Sequence, residues 1–281
     1  VYLLSVRTVR KESDMKRITS ARCISCIPEV VPKKRSNNKK LKLLITNKRI
    51  DWGFKQSILM IQSRLQQIMR RTGDKVLLIT STIPAEGKTM TSVNMALAFA
   101  QEGMKVALLD GDLRKPSVSE LMKLPEGPGL TEYFRGESTP EEIQVVKDGV
   151  TFFRAGQKKG KVSGLIDEEK MNSLLEKLRK EYDVILMDAA PSYVFSDAMI
   201  LSSYADKVLY VVRVDKADAK EIRVGMNSFE EKEKLIGYVI NRDTGGYISQ
   251  SGYGYGRYGK YQKYRKYAEL DEETMNTEDT L

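Results

Sequence analysis

Short, unbroken apolar runs alternate along most of this chain with longer segments in which apolar residues recur at helical spacing. Lys75–Thr80 (KVLLIT), Lys105–Asp110 (KVALLD), Tyr182–Asp188 (YDVILMD), Lys207–Val214 and Lys234–Asn241 read as strands, and Val150–Arg154 as a shorter one. None shows the polar–apolar alternation of a half-solvated strand, so each is expected to be covered on both faces. Between them, Thr89–Gln101, Asp167–Glu181, Ser196–Tyr204 and Asp218–Lys232 predict helices, and another runs from Trp52 to about Arg70 ahead of the first strand. In Thr89–Gln101, residues Met95, Leu97, Ala98 and Phe99 supply a packed face. This alternation predicts an α/β fold, a mostly parallel sheet with helices on both faces. In such sheets ligands gather at the carboxyl ends of the strands.

The two ends of the chain depart from the pattern. Residues 33–50 (KKRSNNKKLKLLITNKRI) read as a polar, basic linker. The start, Val1-Tyr2-Leu3-Leu4-Ser5-Val6 followed by Arg7, Arg10 and Lys11, reads as the cytoplasmic stub of a membrane-spanning segment, with a plain N-terminal strand as the alternative. No run of apolar residues is long enough to cross a bilayer. Tyr247–Tyr267 is rich in Gly, Tyr and Lys without apolar periodicity, and Ala268–Leu281 holds six acidic residues and no basic one. Both are expected to be disordered when isolated. The expected organisation is a basic juxtamembrane segment and linker over 1–50, a folded domain over 51–245 and a flexible tail over 246–281.

Charge sharpens this division. The net charge is +9, yet residues 1–50 alone carry fourteen Lys/Arg against three Asp/Glu, leaving the remainder close to neutral. A nucleic-acid binder would place that charge on its folded domain, so none is expected as partner. The arm suits the anionic surface of a membrane, or is simply a solvated linker. With no His in the chain, Ser-His-Asp and Cys-His catalysis and His-ligated zinc are excluded. Cys23 and Cys26 form the only CxxC; without a second pair they make no four-thiolate zinc site, and they lie outside the strand-to-helix setting of a redox motif.

The candidate chemistry lies at three strand ends. KVLLIT runs into Ser81-Thr82-Ile83-Pro84-Ala85-Glu86-Gly87-Lys88-Thr89 and then a helix, the setting of a phosphate-binding loop, although Thr82 stands where the strict motif has Gly. Amides around Gly87 would face phosphates, Lys88 would neutralise the β and γ oxygens, and the Thr89 hydroxyl would ligate Mg²⁺. KVALLD ends in Asp110-Gly111-Asp112-Leu113-Arg114, and YDVILMD closes on Asp188. Each Asp alone is an ordinary turn residue; three at strand ends together with Gly-Lys-Thr form a hard-oxygen set around one Mg²⁺–nucleotide.

Asp110-x-Asp112-x-Arg114 resembles the second Walker motif of the bacterial tyrosine kinases of capsule and exopolysaccharide systems. These kinases share the deviant-Walker P-loop fold of the septum-positioning and partition ATPases. Those relatives carry an extra Lys five residues before the loop Lys; Ile83 here points to the kinase branch. Thr8–Val30 is similar to the stretch joining the second membrane helix to the kinase in that family, and Asn94 and Asn241 fall where it has asparagines. The resemblance implies ATP and Mg²⁺ as cofactors. It implies Lys88, Asp110, Asp112 and Asp188 as catalytic residues, with Asp110 accepting the phenol proton. Thr89, Asp110, Asp112 and Asp188 would hold the metal directly or through water. Nucleotide contacts would come from Ala85, Glu86, Gly87, Lys88, Thr89 and Met90, with Asn241 near the base and Arg114 at a phosphate or a subunit contact. Four features depart from the family: Ala85 for Gly, Asp188-Ala189-Ala190-Pro191 for Asp-Thr-Pro-Pro, no Glu-x-x-Arg-x-x-Arg ring motif, and only an echo of the Asn-Pro-x-Glu-Leu-Leu loop at Val162–Ile166.

Seven of the fourteen tyrosines, Tyr247, Tyr253, Tyr255, Tyr258, Tyr261, Tyr264 and Tyr267, lie in the tail. Beside the kinase-like core they read as phosphoacceptors reached by a neighbouring subunit; on their own they could equally be a stacking platform for nucleic acid or polysaccharide. The expected protein is thus an autokinase on the cytoplasmic face of the membrane. Its expected partners are a transmembrane chain-length-determinant segment on the same or a partner chain, other copies of itself and a phosphotyrosine phosphatase. Two alternatives stand beside it: a catalytically weak nucleotide-binding regulator of polysaccharide polymerisation, and a transport or partition ATPase of the same fold.

Overall fold

A computed structural model describes residues 8–30, 43–157 and 164–244. The seven tail tyrosines, Val1–Val6 and most of the 33–50 linker lie outside the described residues.

Eight strands form one sheet. In chain order they are β1 (Cys23–Pro28), β2 (Val76–Ser81), β3 (Val106–Asp110), β4 (Gln144–Lys147), β5 (Val150–Phe153), β6 (Val184–Asp188), β7 (Lys207–Arg213) and β8 (Leu235–Asp243), and across the sheet the order is β1-β8-β7-β2-β6-β3-β5-β4. All pair in parallel except β4, which runs antiparallel to β5 at one edge. The helices are α1 (Glu12–Met15), α2 (Trp52–Thr72), α3 (Lys88–Gln101), α4 (Val118–Met122), α5 (Leu130–Arg135), α6 (Glu168–Glu181), α7 (Asp197–Tyr204) and α8 (Ala219–Glu230). The predicted doubly covered, mostly parallel α/β architecture is the one observed.

Local chemistry accounts for the helix limits. The Asp51 carboxylate accepts from the Phe54 amide (3.3 Å) to start α2, and Gly73 ends it in the left-handed region at φ 76°. Asp167 caps α6 through the Lys170 amide (2.9 Å). At α8, Asp218 accepts from Lys220 N (2.8 Å) while Glu221 reaches back to Asp218 N (3.1 Å). Alternate strand residues feed the two layers. Leu77, Ile79, Leu108, Leu186, Leu209 and Val239 share a core with Phe54, Ile61 and Leu65 of α2 and Phe99 of α3. On the other parity Leu78, Leu109, Met187 and Tyr210 are buried, as are Leu174 of α6, Leu201 of α7 and Phe229 of α8.

Several elements differ from expectation. The sheet takes β1 from the segment read as preceding the domain: Ile24, Cys26 and Ile27 are buried, and Ser25, Cys26 and Ile27 stand opposite Val239, Ile240 and Asn241. Its apolar run (CISCIP) is short and flanked by the charged Arg22 and Glu29, which hid it. Ahead of it, Val9 and Met15 are buried, and Asp215 N donates to Val9 O (2.9 Å). The end of the expected linker is also packed, with Leu44 and Ile45 buried. The helices α4 and α5 are too short to show a period. The β4–β5 hairpin turns on Asp148-Gly149, both at positive φ (49° and 77°), as a tight two-residue turn requires.

Candidate active site

Strand β2 delivers the chain into Thr82–Gly87 and then α3, so the first amides of that helix point into the loop. Ala85 (φ 68°) and Gly87 (φ 98°) are both left-handed. At Gly87 there is no alternative to glycine, because a Cβ would stand 2.1 Å from Asn241 Nδ2. That amide group donates to Glu86 O (2.7 Å) from the end of β8. The Glu86 side chain is fully buried and turns back into the protein: one carboxylate oxygen accepts from Ile83 N (2.8 Å), the other from Arg213 N (3.2 Å). Arg213 Nη1 donates to Ala85 O (3.0 Å). Burial pushes Glu86 up to about 7, against the pull of its amide donors.

Lys88, Thr89, Asp112 and Asp188 come together. Lys88 Nζ lies 2.7 Å from Asp112 Oδ2, 3.6 Å from Asp188 Oδ2 and 3.3 Å from Thr89 Oγ1. The Thr89 hydroxyl donates to Asp188 Oδ2 (2.6 Å) and Ser92 Oγ to Asp188 Oδ1 (2.9 Å). Asp112 Oδ1 accepts from Lys115 N (3.0 Å). Burial pulls the Lys88 ammonium down, but Asp188 and Asp112 more than offset this and hold it above its ordinary value. Asp188 is raised by burial despite Lys88, Thr89 and Ser92. Ser92 escapes sequence reasoning because it lies outside the motif; its signal is its place one helical turn after Lys88.

Asp110 stands opposite Asp188 where β3 and β6 pair. Its Oδ2 accepts from Val118 N (3.1 Å), while Oδ1 is buried and accepts no hydrogen bond from the described residues. Burial, then the charge of Asp188, raise its carboxyl well above the usual range.

The remaining predicted residues are placed as follows. Arg114 pairs with Asp197 at the start of α7 (Nη2–Oδ1 3.2 Å) and lies 4.6 Å over the Phe195 ring. Met90, in the first turn of α3, packs partly buried against the core. Asn94 holds the preceding segment: its Nδ2 donates to Leu43 O and Met90 O (2.8 Å each) and its Oδ1 accepts from Ile45 N (2.8 Å). Val162 and Ser163 lie outside the described residues.

Among the described residues no three Asp, Glu or Cys side chains alone are grouped to hold a metal ion. A hard cation is nevertheless suited to the donors here, because a hydroxyl and two carboxylates converge on the Lys88 ammonium at the head of a phosphate-type loop.

Residues 73–219 match the family model described as ParA, a NUBPL iron-transfer P-loop NTPase, which covers just over half the chain. Over 184 residues the chain is 34% identical to tyrosine-protein kinase CpsD of Streptococcus pneumoniae, covering 61% of this chain and 78% of that one. The chain belongs to the family of bacterial tyrosine-protein kinases. The chain is also 27% identical over 198 residues to tyrosine-protein kinase ptk of Acinetobacter johnsonii, of which it spans 27% of the length. Among solved structures it is similar to the kinase domain of the Escherichia coli tyrosine kinase ETK, with 25% identity, TM-score 0.75, and coverage of 89% of this chain and 99% of that one. Its P-loop NTPase fold is therefore that of a nucleotide-binding family. No helix among the described residues is long and apolar enough to cross a membrane.

Proposed function

We propose that this kinase moves the γ-phosphoryl group of ATP onto tyrosine hydroxyls of its own tail, between copies of itself, and that this regulates capsule or exopolysaccharide synthesis at the cytoplasmic face of the membrane. The observation that carries the reading is the meeting of Lys88, Thr89, Asp112 and Asp188 at the mouth of one loop. Loop amides and Lys88 bind the phosphates, with Lys88 exchanging a carboxylate for a phosphate oxygen. Thr89, Asp188 and Asp112 would hold Mg²⁺, directly or through water. When bound, the ion neutralises charge on the transferring phosphates.

Asp110 Oδ1, buried and without a donor, accepts the phenol proton as the tyrosine oxygen bonds to phosphorus and the bond from phosphorus to the ADP oxygen breaks. Its raised carboxyl makes Asp110, once ionised, a stronger proton acceptor than an ordinary aspartate. The acceptors proposed are Tyr247, Tyr253, Tyr255, Tyr258, Tyr261, Tyr264 and Tyr267, whose surrounding cations several phosphates would outweigh. A membrane segment, anionic lipid and a phosphotyrosine phosphatase are the partners this role requires.

Incubation with labelled ATP and Mg²⁺ tests the reading. Label is expected on tyrosine in the tail, and Lys88→Met should lower its rate at least about 1,000-fold. Free phosphate without phosphotyrosine would replace the kinase with an ATPase; nucleotide binding with neither product would leave a regulator.

A further inference from the structure

The loop residue Glu86 sits inside the phosphate-binding motif yet presents nothing to a phosphate. Its side chain is fully buried, and its two oxygens accept from Ile83 N (2.8 Å) and Arg213 N (3.2 Å). One bond spans the first turn of the loop itself; the other ties the loop to the end of β7, two strands from β6. Arg213 returns the contact by donating Nη1 to Ala85 O (3.0 Å). Asn241, on β8, adds the third tie by donating to Glu86 O (2.7 Å) and filling the space beneath Gly87. The peptide units on both sides of Glu86 are thus fixed from outside the loop. A carboxylate accepting two backbone donors can do this where an amide or a methyl cannot.

Resting on the phosphate-loop reading given above, we infer that Glu86 is a positioning residue. With Arg213, it presets the loop amides for phosphate and does not touch the nucleotide. Preorganised donors gain affinity because no ordering remains to be done when the ligand arrives. Two left-handed residues, Ala85 and Gly87, one on each side of Glu86, need such bracing to persist. The ionisable groups facing the carboxylate are Arg213 and, through Thr82, Tyr210, whose hydroxyl donates to Thr82 Oγ1 (3.2 Å). Neither offers Glu86 a full counter-charge.

The test measures affinity of the full chain for a fluorescent N-methylanthraniloyl-ADP with Mg²⁺, alongside kcat and KM for ATP, with the melting transition of every variant recorded. Glu86→Ala should weaken binding about 10-fold, and Glu86→Gln, which keeps one acceptor, should recover part of that loss. Arg213→Met, which removes only the tie to Ala85 O, should weaken binding about 3-fold. In each variant KM should rise more than kcat falls. Should Glu86→Ala fail to fold, Glu86→Gln and Arg213→Met carry the measurement. The inference is overturned if folded Glu86 variants bind within twofold of wild type. It is equally overturned if Glu86 variants lose binding while Arg213→Met does not, because Glu86 would then act by direct contact. A wild type that binds no ADP overturns the phosphate-loop reading and this inference with it.

Discussion

Glu86, Asp110 and Asp188 all keep their protons to higher pH in the folded protein than in water, chiefly because burial penalises the charged form. A folded-state value above the unfolded one means that the native chain holds the proton after the unfolded chain has released it. Stability from these groups is therefore full below the ordinary carboxyl range and is lost as pH rises. For Glu86 the window runs from 4.5 to about 7. Its share is at most about 3 kcal/mol. Asp206, held low by Arg179 and two amides against its burial, acts in the opposite sense. Urea unfolding between pH 5 and 8 should show stability falling with pH, and Glu86→Gln should flatten that fall.

Ala85 offers a second residue-scale test. A methyl-bearing residue at φ 68° is strained, and glycine is not. Ala85→Gly should keep nucleotide affinity and change stability by no more than about 1 kcal/mol, since relief of strain is offset by a freer unfolded chain. Lys88, Thr89, Asp112 and Asp188 were legible in the sequence because each lies at or shortly after the carboxyl end of a strand, in a short pattern that fixes its place. The inward turn of Glu86 was not, since the motif says nothing of where its variable positions point. Nor was the pairing of Arg114 with Asp197, which depends on a contact between distant parts of the chain.

Among elements, α3 does two things at once. Its N-terminal end carries Lys88, Thr89 and Ser92 toward the carboxylates, while Asn94 holds Leu43 and Ile45. The three hydrogen bonds of Asn94 are local to a buried patch, so Asn94→Ala leaves an amide and a carbonyl of that segment without partners. The expected cost is about 2–4 kcal/mol. Hydrogen exchange should show Leu43–Ile45 losing protection before α3 itself does. The main strands and long helices were legible because their periods extend over many residues. The first strand was hidden by its charged flanks, and α4 and α5 by their brevity. The Asp148-Gly149 turn carried a hairpin signal, but β4 is too short and too exposed to read as a strand by itself.

At the scale of the molecule, the sheet ends on one side in the short antiparallel β4, a strand unsuited to further pairing, and on the other in β1. Strand β1 covers the outer edge of β8 and packs against α2, so its loss would uncover backbone donors and acceptors over Tyr238–Asp243 together with part of the apolar face of α2. A chain starting at residue 31 should therefore self-associate more strongly than one starting at residue 8, read by light scattering and by gel filtration at two protein concentrations. The stretch that looks most dispensable on composition alone thus acts as a gatekeeper against edge-to-edge stacking, and trimming the chain to its motifs would hand that open edge to the next copy.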